Sequence, residues 1–213
     1  MISNDRKKER TIFDHVGNTI RTEDREIRIL VKVEEPLIVV LGNVLSDEEC
    51  DELIDISKGQ LQRSKIGEDR KVNQIRTSSG VFIEVNETIT KIERRISQIM
   101  NIPIEHGDGL QVLLYTPGQE YQPHYDFFAE TSRSSTNNRI STLVMYLNDV
   151  EEGGETSFPR LNVSVFPNKG MAVYFEYFYS NHELNELTLH AGTPVINGEK
   201  WIATMWMRRQ AFR

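Results

Sequence analysis

The chain has 213 residues, enough for one large domain or for a domain with an extension. Its 38% hydrophobic and 27% charged residues suit a soluble globular protein, and a net charge of −7 with no basic block argues against nucleic acid as a partner. A lone cysteine, Cys50, excludes an intrachain disulfide framework and a Cys-based zinc or iron–sulfur site, and no apolar run reaches the roughly 18 residues of a membrane span.

The opening MISNDRKKER lacks the apolar core of a secretory signal, so a cytoplasmic location is expected. Residues 1–25 are polar and read as a flexible leader, followed by a single domain over 26–213. EIRILVKV and PLIVVLGNVL, rich in β-branched residues, predict two strands. Ser46-Asp47-Glu48-Glu49 is a capping-box pattern that opens a helix with Cys50, Leu53, Ile54 and Ile56 on its apolar face, ending near Gly59. Residues 62–80 are polar and read as loop, ending in IRTSSG. A second helix is expected over 87–100, where Ile89, Ile92, Ile96 and Ile99 recur at three- and four-residue steps.

From residue 110 the period falls to two. LQVLLY, QEYQPHYDFF, ISTLVMYLN, GETSFP, NVSVF, GMAVYFEYF, LNELTLH and KWIATMWMRR predict strands, separated by turn signals at 117–119, 151–154, 168–170 and in AGTPVING. Short strands at this spacing, with helices confined to the first half, predict an α+β, mainly β fold: a barrel or double-sheet jelly roll buttressed by the N-terminal helices. Residues 130–139, ETSRSSTNNR, read as a long mobile loop.

Chemistry concentrates in PHYDFF. On a strand His124 and Asp126 share a face with backbones about 7 Å apart, so both can reach one ion. Taken alone, such a pair usually means an exposed polar strand face. His15 lies in the leader, His106 in the Gly-flanked EHGDG and His182 at an apparent turn, and all three read as solvated. His190 closes the alternating LTLH and is the candidate third ligand, or else a hydrogen-bonded histidine at a strand end. Two histidines and a carboxylate leave three adjacent positions open on an octahedral ion, the arrangement of non-haem Fe(II) oxygenases. A zinc hydrolase can use the same donors, but no HExxH-like helix accompanies them. Ten residues past His190, Lys200 shares a strand face with Ile202, Thr204 and Trp206. A lysine among such neighbours either snorkels to water or meets an anionic ligand.

LLYTPGQEYQPHYDFF, RISTLVMYLNDVEEGGETSFP and the lysine-bearing strand with Trp206 together resemble the iron- and 2-oxoglutarate-dependent prolyl 4-hydroxylases, in their single-domain bacterial type. The resemblance runs from about residue 37 to the C-terminus. It implies a distorted double-stranded β-helix (jelly-roll, cupin-like), and Fe(II) held by His124, Asp126 and His190. It implies further that Lys200 pairs with the distal carboxylate of 2-oxoglutarate, helped by Tyr115 and Thr156, and that Tyr121, Arg139, Trp206 and Arg76 face a peptide. The implied reaction is hydroxylation of peptidyl proline at C4, in collagen-like or other proline-containing chains, with O₂ consumed and succinate and CO₂ released. Ascorbate support and a possible homodimer belong to the same expectation. Tyr121, Phe127 and Tyr177 to Tyr179 are candidates to line a groove for polyproline II peptide, with the loop of the 70s and 130–139 as lids. The alternatives are the same iron chemistry on another side chain or small molecule, and a non-enzymatic binding module.

Overall fold

The computed structural model describes residues 11–65, 74–177 and 185–213. It begins with β1 (Thr19–Arg21), β2 (Glu26–Glu34) and β3 (Leu37–Gly42), followed by α1 (Asp47–Ser57). The predicted capping box forms: the Glu49 N–H donates to Ser46 Oγ, and the Ser46 N–H donates to the Glu49 carboxylate. Next come β4 (Gln62–Arg63), β5 (Ser79–Phe82) and α2 (Glu87–Met100). Helix α2 spans the predicted residues, with Ile89, Ile92, Ile96 and Ile99 fully buried.

The second half holds β6 (Gln111–Tyr115), β7 (Tyr121–His124), β8 (Arg139–Tyr146), β9 (Glu152–Gly153), β10 (Thr156–Phe158), β11 (Val163–Val165), β12 (Ala172–Glu176), β13 (His190–Gly192), β14 (Val195–Asn197) and β15 (Lys200–Arg208). Nine strands form a major antiparallel sheet in the order β1-β2-β3-β12-β8-β15-β6-β5-β4, and four form a minor sheet, β11-β10-β13-β7. Strands β9 and β14, distant in sequence, make a separate two-stranded antiparallel pair.

Alternation along the central strands divides the core in two. Val39, Leu41, Leu143, Met145, Ala203 and Met205 pack under α1 and α2, whereas Ile38, Val40, Val144, Tyr146, Val173 and Ile202 face the minor sheet. Both faces of the major sheet are therefore covered, which explains its nearly continuous apolar runs. Two facing antiparallel sheets with helices on the outer side are the expected α+β, mainly β jelly roll. Among the described residues no helix is long and apolar enough to cross a membrane.

Three local expectations are corrected. The polar leader is not loose through residue 25, because Phe13 and Ile20 are buried and the main chain at Ile12 and Phe13 donates to the Glu176 carboxylate. LNELTLH is not one strand: residues 186–188 form a 3-10 turn capped by the Asn185 side chain, so His190 opens β13. The strand of PHYDFF stops at His124, which places Asp126 on the bend that follows. Within 130–139, Arg133–Asn137 forms a 3-10 turn, and the Asn138 amide bonds the main chain of Phe128 in both directions. Residues 66–73 of the expected entrance loop, His182, and Phe178 and Tyr179 of the expected groove lie outside the described residues.

Candidate active site

Pairing of β7 with β13 sets His124 directly opposite His190. Asp126 approaches from the bend, with its Oδ1 3.4 Å from His124 Nε2 and its Oδ2 3.4 Å from His190 Nε2. Candidate donor atoms of the three residues all lie within 4.8 Å of one another. The other ring nitrogen of each histidine meets a main-chain carbonyl: Nδ1 of His124 at Gln122 O (2.8 Å) and Nδ1 of His190 at Thr188 O (3.0 Å). A carbonyl only accepts, so Nδ1 of each ring carries a proton and Nε2 is the nitrogen that faces the centre. Burial, aided by the nearby His190, pushes His124 down to about 4, so its ring is neutral at pH 7. Burial opposes ionisation of Asp126, but the two imidazoles outweigh it and hold the carboxyl well below the usual range. One carboxylate and two imidazole Nε2 atoms converging on one point fit a divalent first-row metal with positions left open. The His124 ring also stacks on Tyr121, with centroids 3.4 Å apart.

These groups line a cavity of about 410 Å³, counted with its open mouth. Lys200, Ile202, Thr204 and Trp206 all line it, as alternation along β15 predicts. Lys200 is 2% exposed, and its ammonium lies 5.6 Å from the Tyr115 ring centroid and 5.9 Å from that of Tyr146. Burial lowers it to about 8, against a weaker opposing pull from Glu155. Gly154, at φ +72°, makes room for this side chain, since a Cβ there would stand 3.3 Å from Lys200 Cδ. Tyr115 sits across the ladder from Lys200, and Thr156 lines the same cavity while its Oγ1 accepts from the Tyr146 hydroxyl (2.8 Å). Tyr146 was not among the sequence candidates.

The expected peptide-facing residues divide. Tyr121, Trp206 and Arg76 line the cavity. The Trp206 indole N–H is buried without a hydrogen-bond partner among the described residues. Arg76 lies over the Tyr121 ring at 5.0 Å, and its segment pairs with the edge of β7 through an Arg76–Tyr121 bridge and the Gln122 N–H donating to Ile75 O. Arg139 does not line the cavity. Its guanidinium donates to Asp108 (2.6 and 2.8 Å) and to the Asp126 main-chain carbonyl (3.2 Å), and lies 4.1 Å from the Trp206 ring centroid. Tyr177, expected in a groove, is 2% exposed and belongs to the core. His106 and His15 bond to the carbonyls of Arg208 and Ile99 rather than to the site.

Residues 110–208 match the family profile of the 2OG-Fe(II) oxygenase superfamily. Prolyl 4-hydroxylase 5 of Arabidopsis thaliana is 36% identical over 98% of this chain and 78% of its own length. Prolyl 4-hydroxylase 1 of the same plant is 40% identical over 83% and 70%. Among solved structures, the 2OG complex of a viral collagen prolyl hydroxylase from Paramecium Bursaria Chlorella virus-1 superposes with a TM-score of 0.65 at 33% identity, covering 80% of this chain and 95% of that one. A Pseudomonas putida prolyl-4-hydroxylase, at 21% identity and a TM-score of 0.55, shares the fold. The chain belongs to the 2OG-Fe(II) oxygenase superfamily and, within it, to the prolyl 4-hydroxylases. Iron(II) and 2-oxoglutarate are the metal and co-substrate that this family and the His–Asp–His cluster support.

Proposed function

We propose that the protein hydroxylates peptidyl proline at C4, in collagen-like or other proline-containing chains, yielding 4-hydroxyproline. The observation that carries this reading is a buried ammonium, Lys200, in the same cavity as the His124, Asp126 and His190 cluster, in a chain whose relatives are prolyl 4-hydroxylases. Iron(II) with 2-oxoglutarate and O₂ supplies the oxidising chemistry, converting the 2-oxo acid to succinate and CO₂ while the proline gains one oxygen atom.

His124, Asp126 and His190 would hold the metal, their geometry set by the carbonyls behind each histidine. Lys200 would receive the distal carboxylate of 2-oxoglutarate, and the Tyr115 and Thr156 hydroxyls would complete that end. A cation on a dry wall binds a carboxylate more strongly than one in water, because there is little solvent to compete. Tyr121 and Trp206 are flat walls suited to a proline ring, and the unpartnered indole N–H offers a donor to a peptide carbonyl. Arg76 would face the peptide from beside Tyr121 on the cavity wall. Arg139 would act from behind, through the Asp126 backbone and the Trp206 ring.

Single-domain organisation over 26–213 in the bacterial manner, a cytoplasmic location, ascorbate as auxiliary reductant and a homodimer belong to the same reading, supported by the sequence and the family resemblance. The decisive experiment is incubation with Fe(II), 2-oxoglutarate and proline-rich peptides, read by succinate release and by a one-oxygen mass gain on proline. His124→Ala and Asp126→Ala should abolish both signals while leaving the circular dichroism spectrum unchanged. Succinate coupled only to a non-proline substrate would overturn the proline assignment and leave the metal reading intact.

A further inference from the structure

Asp126 lies beyond the end of β7, outside any sheet ladder, so something other than the strand must fix it. Strand β8 supplies two holds. Arg139 donates to the Asp126 main-chain carbonyl at 3.2 Å, and three residues along, Thr142 Oγ1 donates to Asp126 Oδ2 at 2.6 Å. Thr142 is fully buried and in turn hydrogen-bonds the Tyr177 hydroxyl, which stands just past β12. A carboxylate only accepts, so the single Thr142 proton goes to Asp126, and Tyr177 must be the donor to Thr142. The direction of the chain is thus fixed: Tyr177 to Thr142 to Asp126.

We propose that Thr142, backed by Tyr177, is a positioning residue that occupies Asp126 Oδ2 and confines Asp126 to one metal-donor oxygen, Oδ1. The proposal rests on the reading of His124, Asp126 and His190 as the metal ligands. Both carboxylate oxygens stand 3.4 Å from a histidine Nε2, so the side chain itself has no preference for which oxygen meets the ion. The preference comes from Thr142. Coordination arithmetic makes it matter: two histidines and one oxygen leave three of six positions, two for a chelating 2-oxo acid and one for O₂. A second Asp126 oxygen on the metal would take one of the three. Partners behind a metal ligand typically change affinity by about 10-fold or more when removed.

The test uses Co(II) as an optical probe of donor number, with anaerobic 2-oxoglutarate binding to the Co(II)- or Fe(II)-loaded protein. Thr142→Val keeps the shape and removes the hydroxyl, Thr142→Ser keeps the hydroxyl, and Tyr177→Phe removes only the outer donor. Thr142→Val should alter the Co(II) absorption spectrum and weaken 2-oxoglutarate by about 10-fold. Thr142→Ser should match the wild type in both, and Tyr177→Phe should shift both in the direction of the valine variant, by less. A valine variant with wild-type spectrum and 2-oxoglutarate affinity overturns the proposal, as does a serine variant that behaves like valine. Should Thr142→Val fail to fold, Tyr177→Phe decides, and a wild-type spectrum and 2-oxoglutarate affinity there overturn the proposal. Failure of the wild type to bind Co(II) would instead overturn the underlying metal reading.

Discussion

Holding the Lys200 ammonium against Tyr115 and Tyr146, with no described carboxylate bonded to it, costs the ligand-free protein stability. Its folded value of about 8 lies below the ordinary 10.5, so between those limits the unfolded chain binds a proton that the folded chain has released. Stability therefore rises with pH across that window, and below about 8 the full penalty, on the order of 3 kcal/mol, is present. Lys200→Met should raise the urea midpoint of the ligand-free protein at pH 7 and weaken 2-oxoglutarate by about 10-fold or more, the size of a lost charge-assisted contact. In the wild type, 2-oxoglutarate affinity should fall as pH rises past about 8, where the amine loses its charge. Unchanged affinity in the methionine variant would remove Lys200 from the co-substrate site. Lys200 was legible from the sequence because a charge on an otherwise inward-facing row stands out. Thr142 carries the same signal, sharing its β8 face with Val144 and Tyr146. A threonine, however, is unremarkable on a strand, and nothing in the sequence says that Asp126 lies beside it.

At the scale of elements, local chemistry was the reliable guide. The α1 cap follows from four consecutive residues, and α2 from the spacing of its isoleucines. Glu49 serves twice, closing the capping box and accepting from the buried Arg95 at 2.6 and 2.8 Å. Ser46→Ala should cost about 1 kcal/mol, read as a lower urea midpoint with an unchanged denaturant slope. A neutral result would mean that the Ser46 hydroxyl adds nothing net to the cap. Where alternation was used to infer sidedness, it succeeded on β15 and misled at two ends. His124 and Asp126 converge because the chain bends after β7, not because they share a strand face. LTLH alternates like a strand but turns, since the Asn185 side chain captures the Leu187 N–H and nucleates the 3-10 turn.

Across the whole molecule, the N-terminal strands are tied to both helices by one buried charge cluster. Arg95, 1% exposed, bonds Asp24 between β1 and β2, Glu49 on α1 and the Val44 carbonyl. Hydrogen bonds from Arg95 hold Asp24 down to about 2; burial pushes Glu49 up, but Arg95 keeps it below its usual value. A depressed carboxyl contributes stability above its unfolded value of about 4 and loses it as pH falls toward 2. Acid unfolding of the wild type should therefore draw on this cluster between pH 4 and about 2. Arg95→Met should cost about 3 kcal/mol at pH 7, because buried Glu49 keeps only the longer contacts to Arg25 (3.5 Å) and Lys91 (3.7 Å), and much of that deficit should vanish in acid. A variant of wild-type stability at pH 7 would show that the cluster is replaceable by packing.

The sequence by itself determined the helices, most central strands, the mainly β class, and the identities of His124, Asp126, His190 and Lys200 as the residues worth bringing together. Those features depend on local periodicity, capping and residue chemistry, which act over a few residues. Only the tertiary structure decided that Arg139 reaches the site through the Asp126 backbone, that Tyr177 is core rather than groove, that Phe13 and Ile20 anchor the N-terminal segment, and that Thr142 stands behind Asp126. Each is a contact between segments far apart in the chain, whose partner is chosen by sheet order and register, and alternation within a single strand carries no record of either.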